Sequence, residues 1–537
     1  MGYSYVVGVA LVLLVCLYAF GSHRKPKGPF PPGPPTIPIL GNLHQIPLSK
    51  SYITFAEWAR TYTPDGLLGL RLGPYERVLV LNKWQHARDL LDLRGSVYSD
   101  RPRSLAADIV TPGDIHPAFM PYSAHWRKSR RIITEFLKDS EVEKLLPVQE
   151  AESSQMIYDL LTDTAEERRY HGHVMRFFGG VVLATVFGQR QKTYGPESFV
   201  RRFFAVQDEW AGFLDPGALP PYNIFPLLKY VPDSFTPWRG WRERGESLRT
   251  RQRALYRELF ETAAIKVAAG RSQDCFVARM LQDPKIRSGE FDQLQLDYIA
   301  GFLLEGGSDT SALAFLTFVL AMATHPDILA QVQQEVDAVF GATTMPHKVE
   351  EGRLPFLRAC ILETLRWRPG FALAVPHATL QDDVLPQGYV IPKGTTVLLN
   401  TWAVQHDPDE FLDPDVFDPS RYLANPYGTK KGGSETGDTP QGDTSRRQTY
   451  AFGAGRRVCA GQRMAENTLM LTTSKLAWAF DIIPGGELDT NARTGFKDAI
   501  LTGPQEFSVE FVLRDDGRKQ VIVDEFAKAD AFLSRYE

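Results

Sequence analysis

Apolar residues recur at three- and four-residue spacing over much of the chain, as they do on helices that bury one face. The pattern predicts helices over Ser140–Leu161, Ser198–Phe213, Trp241–Ala269, Gln293–Thr324, Pro326–Phe340, Pro355–Arg368 and Met464–Phe480. Gln293–Thr324 is the longest, and at ~1.5 Å per residue it reaches about 48 Å, enough to cross a whole domain. Strand signals are sparse. Leu67–Leu81 alternates around Gly73-Pro74, and Gly388–Asn400 around Pro392-Lys393-Gly394, each in the manner of a hairpin. Many helices with a few short strand pairs predict a mostly α (α+β) body. Pro216–Pro237 is rich in proline and aromatics and reads as a long irregular connection, whereas residues 425–448 are polar and read as a surface insertion.

One run has no polar face at all. Tyr3–Phe20 carries no charge over 18 residues, just enough for a helix to cross a thin hydrocarbon core. No basic residue precedes it, while His23, Arg24, Lys25 and Lys27 follow at once. These flanks predict an uncleaved anchor over residues 1–22 with the rest of the chain on the cytoplasmic side. Residues 23–40, basic and then proline-rich, read as a semi-rigid hinge, and 41–537 as the body.

Composition narrows the function classes. Of 537 residues, 60 are Lys or Arg and 64 Asp or Glu, giving a net charge of −4, so no basic excess points to nucleic acid. The four cysteines, Cys16, Cys275, Cys360 and Cys459, are far apart and include no C-x-x-C pair. Any special cysteine is therefore a ligand or a nucleophile rather than half of a bridge.

Cys459 has the surroundings a metal-binding thiolate requires. In Tyr450–Met464 (YAFGAGRRVCAGQRM), Gly455 permits a tight turn and Gly461 a close approach by the following helix. Phe452 can shield sulfur from water, and Arg457 can bind a carboxylate of the ligand. The sulfur precedes a predicted helix, whose N-terminus favours negative charge. A lone cysteine is more often a buried structural residue. However, Phe452, Gly455, Arg457, Cys459 and Gly461 together form a pattern expected by chance on the order of once in ten thousand such chains.

That segment resembles the haem-binding signature of the cytochrome P-450 superfamily. The resemblance implies the superfamily's fold, with a long central helix over haem b (iron protoporphyrin IX) and small β-sheets, and Cys459 as the axial ligand of iron. Three further segments resemble the same family. Glu363-x-x-Arg366-x-x-Pro369 matches its second signature, in which the pair is joined by an arginine matching Arg421; this role is structural. Gly306-Gly307-Ser308-Asp309-Thr310 matches its oxygen-activation motif. There the glycines leave room beside the cofactor, Thr310 hydrogen-bonds dioxygen and Asp309 relays protons. Trp126-x-x-x-Arg130 matches the pair that contacts a haem propionate, and His377 stands where another propionate donor is often found.

By the same resemblance the substrate pocket involves Phe119, Phe302, Phe371, Leu373, Val375 and Leu501, an apolar, aromatic-rich set that suits a hydrophobic small molecule. Glu305 is either a polar anchor there or a salt-bridged residue. His171-x-His173 can place two ligands on one strand face, but no third ligand is evident. The chain has no phosphate loop and no dinucleotide fingerprint. Electrons are therefore expected from a partner, and the resemblance implies NADPH through a cytochrome P-450 reductase, with cytochrome b5 as a second donor. Arg127, Lys128, Arg131, Arg456 and Arg463 would form the docking patch. The implied protein is an endoplasmic reticulum monooxygenase that inserts one atom of O2 by hydroxylation or epoxidation, of the fungal type that tailors secondary metabolites. The alternatives are a hydroperoxide isomerase or dehydratase of the same fold, or a non-catalytic haem-binding protein.

Overall fold

The helix expected over Gln293–Thr324 spans those residues, and the other elements pack around it. Its start is fixed by a capping box: the Gln295 N–H donates to Asp292 Oδ1 at 2.8 Å, and the Asp292 N–H donates to Gln295 Oε1 at 2.9 Å. The computed structural model describes residues 28–163, 170–271, 274–348, 352–430 and 446–537. The anchor expected at residues 1–22, the start of the hinge and most of the polar insertion lie outside the described residues. Among the described residues, Gln293–Thr324 is the one helix long and apolar enough to cross a membrane. Here its apolarity serves the core, because most of it is buried inside the body.

The partner lying most extensively against it is Tyr170–Phe187, buried along nearly its whole length. Period-based reading finds no helix there because the segment is apolar on every side, which leaves no polar stripe to reveal the 3.6-residue repeat. This corrects the strand assumed for His171 and His173. On a helix, residues two apart point in different directions, and His173 instead pairs with Asp163 Oδ2 at 2.9 Å. The helices Asp139–Thr162, Phe199–Leu214, Trp241–Ala268, Pro326–Phe340, Pro355–Trp367 and Gln462–Ala479 fall within a residue or two of expectation.

Strands β1 (Leu67–Leu72) and β2 (Glu76–Leu81) form the expected hairpin. The second expected hairpin does not form. After β3 (His377–Ala378), β4 (Asp383–Val384) pairs with β5 (Val390–Ile391), while β6 (Thr396–Leu399) leaves for the other sheet. There β6 runs parallel to β2 and antiparallel to β3, in the order β1-β2-β6-β3. The Pro392–Gly394 turn thus redirects the chain between two sheets rather than folding it on itself. Residues 28–40 of the proline-rich stretch lie against the body: Val390 N–H donates to Pro29 O and Gly69 N–H to Pro32 O, both at 2.8 Å.

The chain closes with a helix over Asp516–Leu533 that packs along Asp139–Thr162, with Tyr158 stacked on Phe526 at 3.9 Å. Arg190, its side chain 1% exposed, is paired by this tail through Asp530 at 2.6 Å and Glu537 at 2.7 Å.

Candidate active site

The cysteine loop turns exactly where a side chain is forbidden at Gly455. With φ at +68°, a Cβ there would lie 2.3 Å from Leu91 O, and the Gly455 N–H donates to Asp92 Oδ1 at 2.7 Å. The Cys459 N–H closes the loop onto Phe452 O at 2.9 Å. Gly461 has a different role from the one expected. A Cβ on it would meet Cys459 Sγ and Leu137 Cδ1 at an ordinary 3.9 Å, so helix packing does not require glycine. What Gly461 provides is its N–H, directed at the sulfur, just ahead of the helix Gln462–Ala479. The thiol is exposed to an internal cavity of about 350 Å³. Burial pushes its pKa up, and the Gly461 N–H and the Arg130 guanidinium pull it back down.

Beside the sulfur the cavity wall is strongly cationic. Arg457 donates from Nε to Ser99 O at 3.0 Å and from Nη2 to Met120 O at 2.7 Å, and it lies 3.9 Å from the Trp126 ring centre. Arg130, one turn beyond Trp126 on the helix Ala124–Phe136, donates to Val458 O. The Trp126 indole N–H is committed to Pro117 O at 3.2 Å, so this residue acts on the site through its face. A third guanidinium, Arg101, escaped the sequence reading. It donates to Ala118 O at 2.8 Å and to Val375 O and Pro376 O, both at 2.7 Å.

Among the described residues no carboxylate forms an ion pair with any of these three arginines; Asp100 only moderates the charge of Arg101 and Arg457 from nearby. Burial lowers all three pKa values, with Arg457 brought to about 9. His377, on β3, bonds through Nδ1 to Tyr98 O at 2.8 Å. Burial, then repulsion from Arg101 and Arg457, pushes its pKa down to about 3, so the ring is neutral. A buried set of cations without carboxylates is unfavourable alone and calls for an anionic ligand. The two propionates of haem fit that requirement, and Cys459 fits its iron.

The long helix supplies another wall. Thr310 faces the cavity, and its hydroxyl donates back to Gly306 O at 2.8 Å. The two glycines differ in purpose. A Cβ on Gly306 would meet nothing within 4 Å, whereas one on Gly307 would lie 2.8 Å from Val182 Cγ2. Gly306 thus leaves open space, and Gly307 lets the Tyr170–Phe187 helix approach. Asp309 is not in the cavity wall. It is buried on another side of the helix, where burial first and then Asp208 raise its pKa to about 6.

Of the expected pocket residues, Phe119, Phe302, Phe371, Val375 and Leu501 line the cavity. Leu373 does not. The turn around Ala374, with φ at +50°, directs Leu373 into the packing beneath the β1–β2 sheet. The structural triad forms as expected. Arg366 makes a two-pronged pair with Glu363 at 2.7 and 2.8 Å, Arg421 joins at 3.2 Å, and Arg366 also donates to Gln405 O at 2.9 Å. Within the basic patch, Lys128 and Arg131 share Glu290. Arg127 and Arg456 flank Tyr122.

A cavity walled by a thiol at a helix N-terminus, arginines without carboxylate partners and a glycine-opened helix would fit a haem with a thiolate ligand. The chain matches the family described as Cytochrome P450 over residues 31–511, and it belongs to that family. It is 33% identical to the cytochrome P450 monooxygenase atE of Aspergillus terreus, over 98% of this chain and 95% of that one. The corresponding figures are 32%, 98% and 96% for the cytochrome P450 monooxygenase patI of Penicillium expansum. They are 32%, 98% and 98% for the cytochrome P450 monooxygenase macC of Penicillium terrestre. A zebra fish cytochrome P450 solved with abiraterone shares the fold, with a TM-score of 0.66 over 86% of this chain and all of that one at 22% identity. The protein is an oxidoreductase, a monooxygenase of this family, and membership implies a haem-iron cofactor and O2 as co-substrate.

Proposed function

We propose that Cys459 is the axial ligand of haem b, and that the enzyme hydroxylates or epoxidises a hydrophobic small molecule to tailor a secondary metabolite. The observation that carries this reading is that Cys459 and Thr310 open onto one cavity edged by three arginines that lack carboxylate partners. When bound, thiolate-ligated haem supplies the electron density that favours O–O cleavage. The chain's own residues do the rest. Arg101, Arg130 and Arg457 hold the propionates, and His377 completes that wall. Phe452 keeps water from the sulfur. Thr310, held by Gly306 O, presents a hydroxyl to the cavity, while Asp309, buried on another side of the same helix, takes up protons.

Electrons come from NADPH through a cytochrome P-450 reductase, with cytochrome b5 as a second donor. Exposed Arg127 and Arg456 offer these acidic partners a landing point. Residues 1–22 anchor the enzyme in the endoplasmic reticulum membrane, residues 23–40 join anchor to body, and residues 41–537 form the cytoplasmic catalytic domain. The Asp309-Thr310 pair and the monooxygenase relatives weigh against the isomerase alternative.

The test is spectroscopic and kinetic. The ferrous, carbon monoxide-treated protein should show the red-shifted Soret band of thiolate ligation, and Cys459→Ser should lose it. With reductase and substrate, Thr310→Ala should continue to oxidise NADPH while product per NADPH falls. A normal band in Cys459→Ser, or unaltered coupling in Thr310→Ala, would overturn the assignment.

A further inference from the structure

Glu305 lies on the cavity side of the long helix, yet oxygen handling has no use for it. It is 7% exposed. The Tyr256 hydroxyl donates to Oε1, and His116 Nε2 donates to Oε2 at 2.9 Å. The tautomer of His116 is fixed: the Ala118 N–H donates to Nδ1 at 3.2 Å, so the ring proton sits on Nε2 and the imidazole is neutral. The Glu305 carboxylate therefore has two neutral donors and no cation. A carboxylate accepts about four hydrogen bonds, so acceptor capacity remains on a group that lines the cavity.

A second observation points to the same place. Gln207, on the helix Phe199–Leu214, is also 7% exposed and lines the cavity, and its Oε1 is buried without a hydrogen-bond partner. Buried side-chain amides are normally satisfied, so a lone one in a cavity wall has a ligand to meet. Trp210 is three residues on and thus on the same helix face. Its ring lies 5.9 Å from that of His116 and 5.6 Å from that of Phe119, which joins the two polar groups through one aromatic wall. Phe302 completes that wall, 5.6 Å from His116.

We propose that Glu305 and Gln207 form a polar subsite that selects aromatic substrates bearing a free hydroxyl group. This rests on the monooxygenase reading and specifies its substrate class. A hydroxyl suits both partners, since each is an acceptor with capacity to spare, and its proton can be shared between the Glu305 carboxylate and the Gln207 Oε1 that lacks a donor. Methylating the hydroxyl removes the donor and leaves the ring unchanged.

The haem-loaded enzyme, titrated by calorimetry with 4-ethylphenol and with its methyl ether 4-ethylanisole, tests this. The phenol should bind about tenfold or more tighter, as expected for a hydrogen bond to a charged group. In Gln207→Met and in Glu305→Gln that preference should shrink to within about twofold, with the ether's affinity unaltered. Equal binding of the two ligands by the wild type, or a preference that survives both substitutions, would overturn the proposal. Should Glu305→Gln fail to fold, the wild type and Gln207→Met decide the matter. A protein with the thiolate Soret band but indifferent to the hydroxyl refutes the subsite alone; one without the band refutes the enzyme reading beneath it.

Discussion

Asp309 and Thr310 are neighbours in sequence and, about 100° apart around one helix, face different sides of it. Thr310 faces the cavity with its hydroxyl held by Gly306 O at 2.8 Å. Asp309 is buried away from it, near Asp208 and Lys497.

The raised carboxyl of Asp309 makes stability depend on pH. Its pKa rises from 3.8 to about 6 on folding, so the folded protein disfavours the ionised form. At about 1.4 kcal/mol per unit, the penalty is about 3 kcal/mol above pH 6, and it fades as pH falls towards the unfolded value. Asp309→Asn should thus be more stable than wild type in urea at pH 8, with the gap narrowing by pH 5. A gap that stays constant across this range would contradict the burial argument. Product formation by the variant should drop on the order of a hundredfold, as for loss of a proton donor.

The paired glycines should respond differently to alanine. Gly306→Ala meets open space, so it should gain up to about 1 kcal/mol of helix stability while altering ligand-induced spectral shifts. Gly307→Ala drives a methyl group to 2.8 Å from Val182 and should lower the unfolding midpoint instead. Melting curves and ligand titrations on the two variants distinguish these outcomes.

Glu363 is fully buried between Arg366 and Arg421. Replacing it by Gln leaves buried guanidinium charge unbalanced, a loss of about 3–5 kcal/mol. Denaturant unfolding and haem content after purification should both fall, whereas ligand preference in the surviving folded fraction should not change.

Arg101 supplies two hydrogen bonds that brace the segment around Val375, a third to Ala118 O, and one of the charges expected to meet a propionate. Arg101→Gln should release haem to excess apomyoglobin about tenfold faster or more. Arg127→Gln, altered only at the exposed surface, should match the wild type. Equal release rates for all three proteins would remove Arg101 from the haem site.

What was legible in the chain was what lies close together along it. The cysteine loop, the Glu363–Arg366 spacing and the 306–310 motif each occupy a few consecutive residues, and their geometry follows from one turn or one helix. Arg101, His116 and Gln207 were not legible, because each joins the cavity from a different segment through tertiary packing alone. The Tyr170–Phe187 helix was hidden by its uniform apolarity. The β5–β6 connection was misread because a turn signal specifies a change of direction and says nothing about which strand lies beyond it. The family resemblance puts Leu373 in the pocket along with Phe371 and Val375, but a positive φ at Ala374 separates their directions.

The tail helix has a practical consequence for anyone handling this enzyme. Arg190 is almost wholly inaccessible, and its carboxylate partners come from Asp530 and Glu537. Proteolytic clipping ahead of Asp516 would strand that guanidinium and bare the side of Asp139–Thr162 that the tail covers. Nicked preparations would then look globally fragile although every residue around the sulfur is intact, so mass spectrometry of the terminus belongs before any comparison of variants.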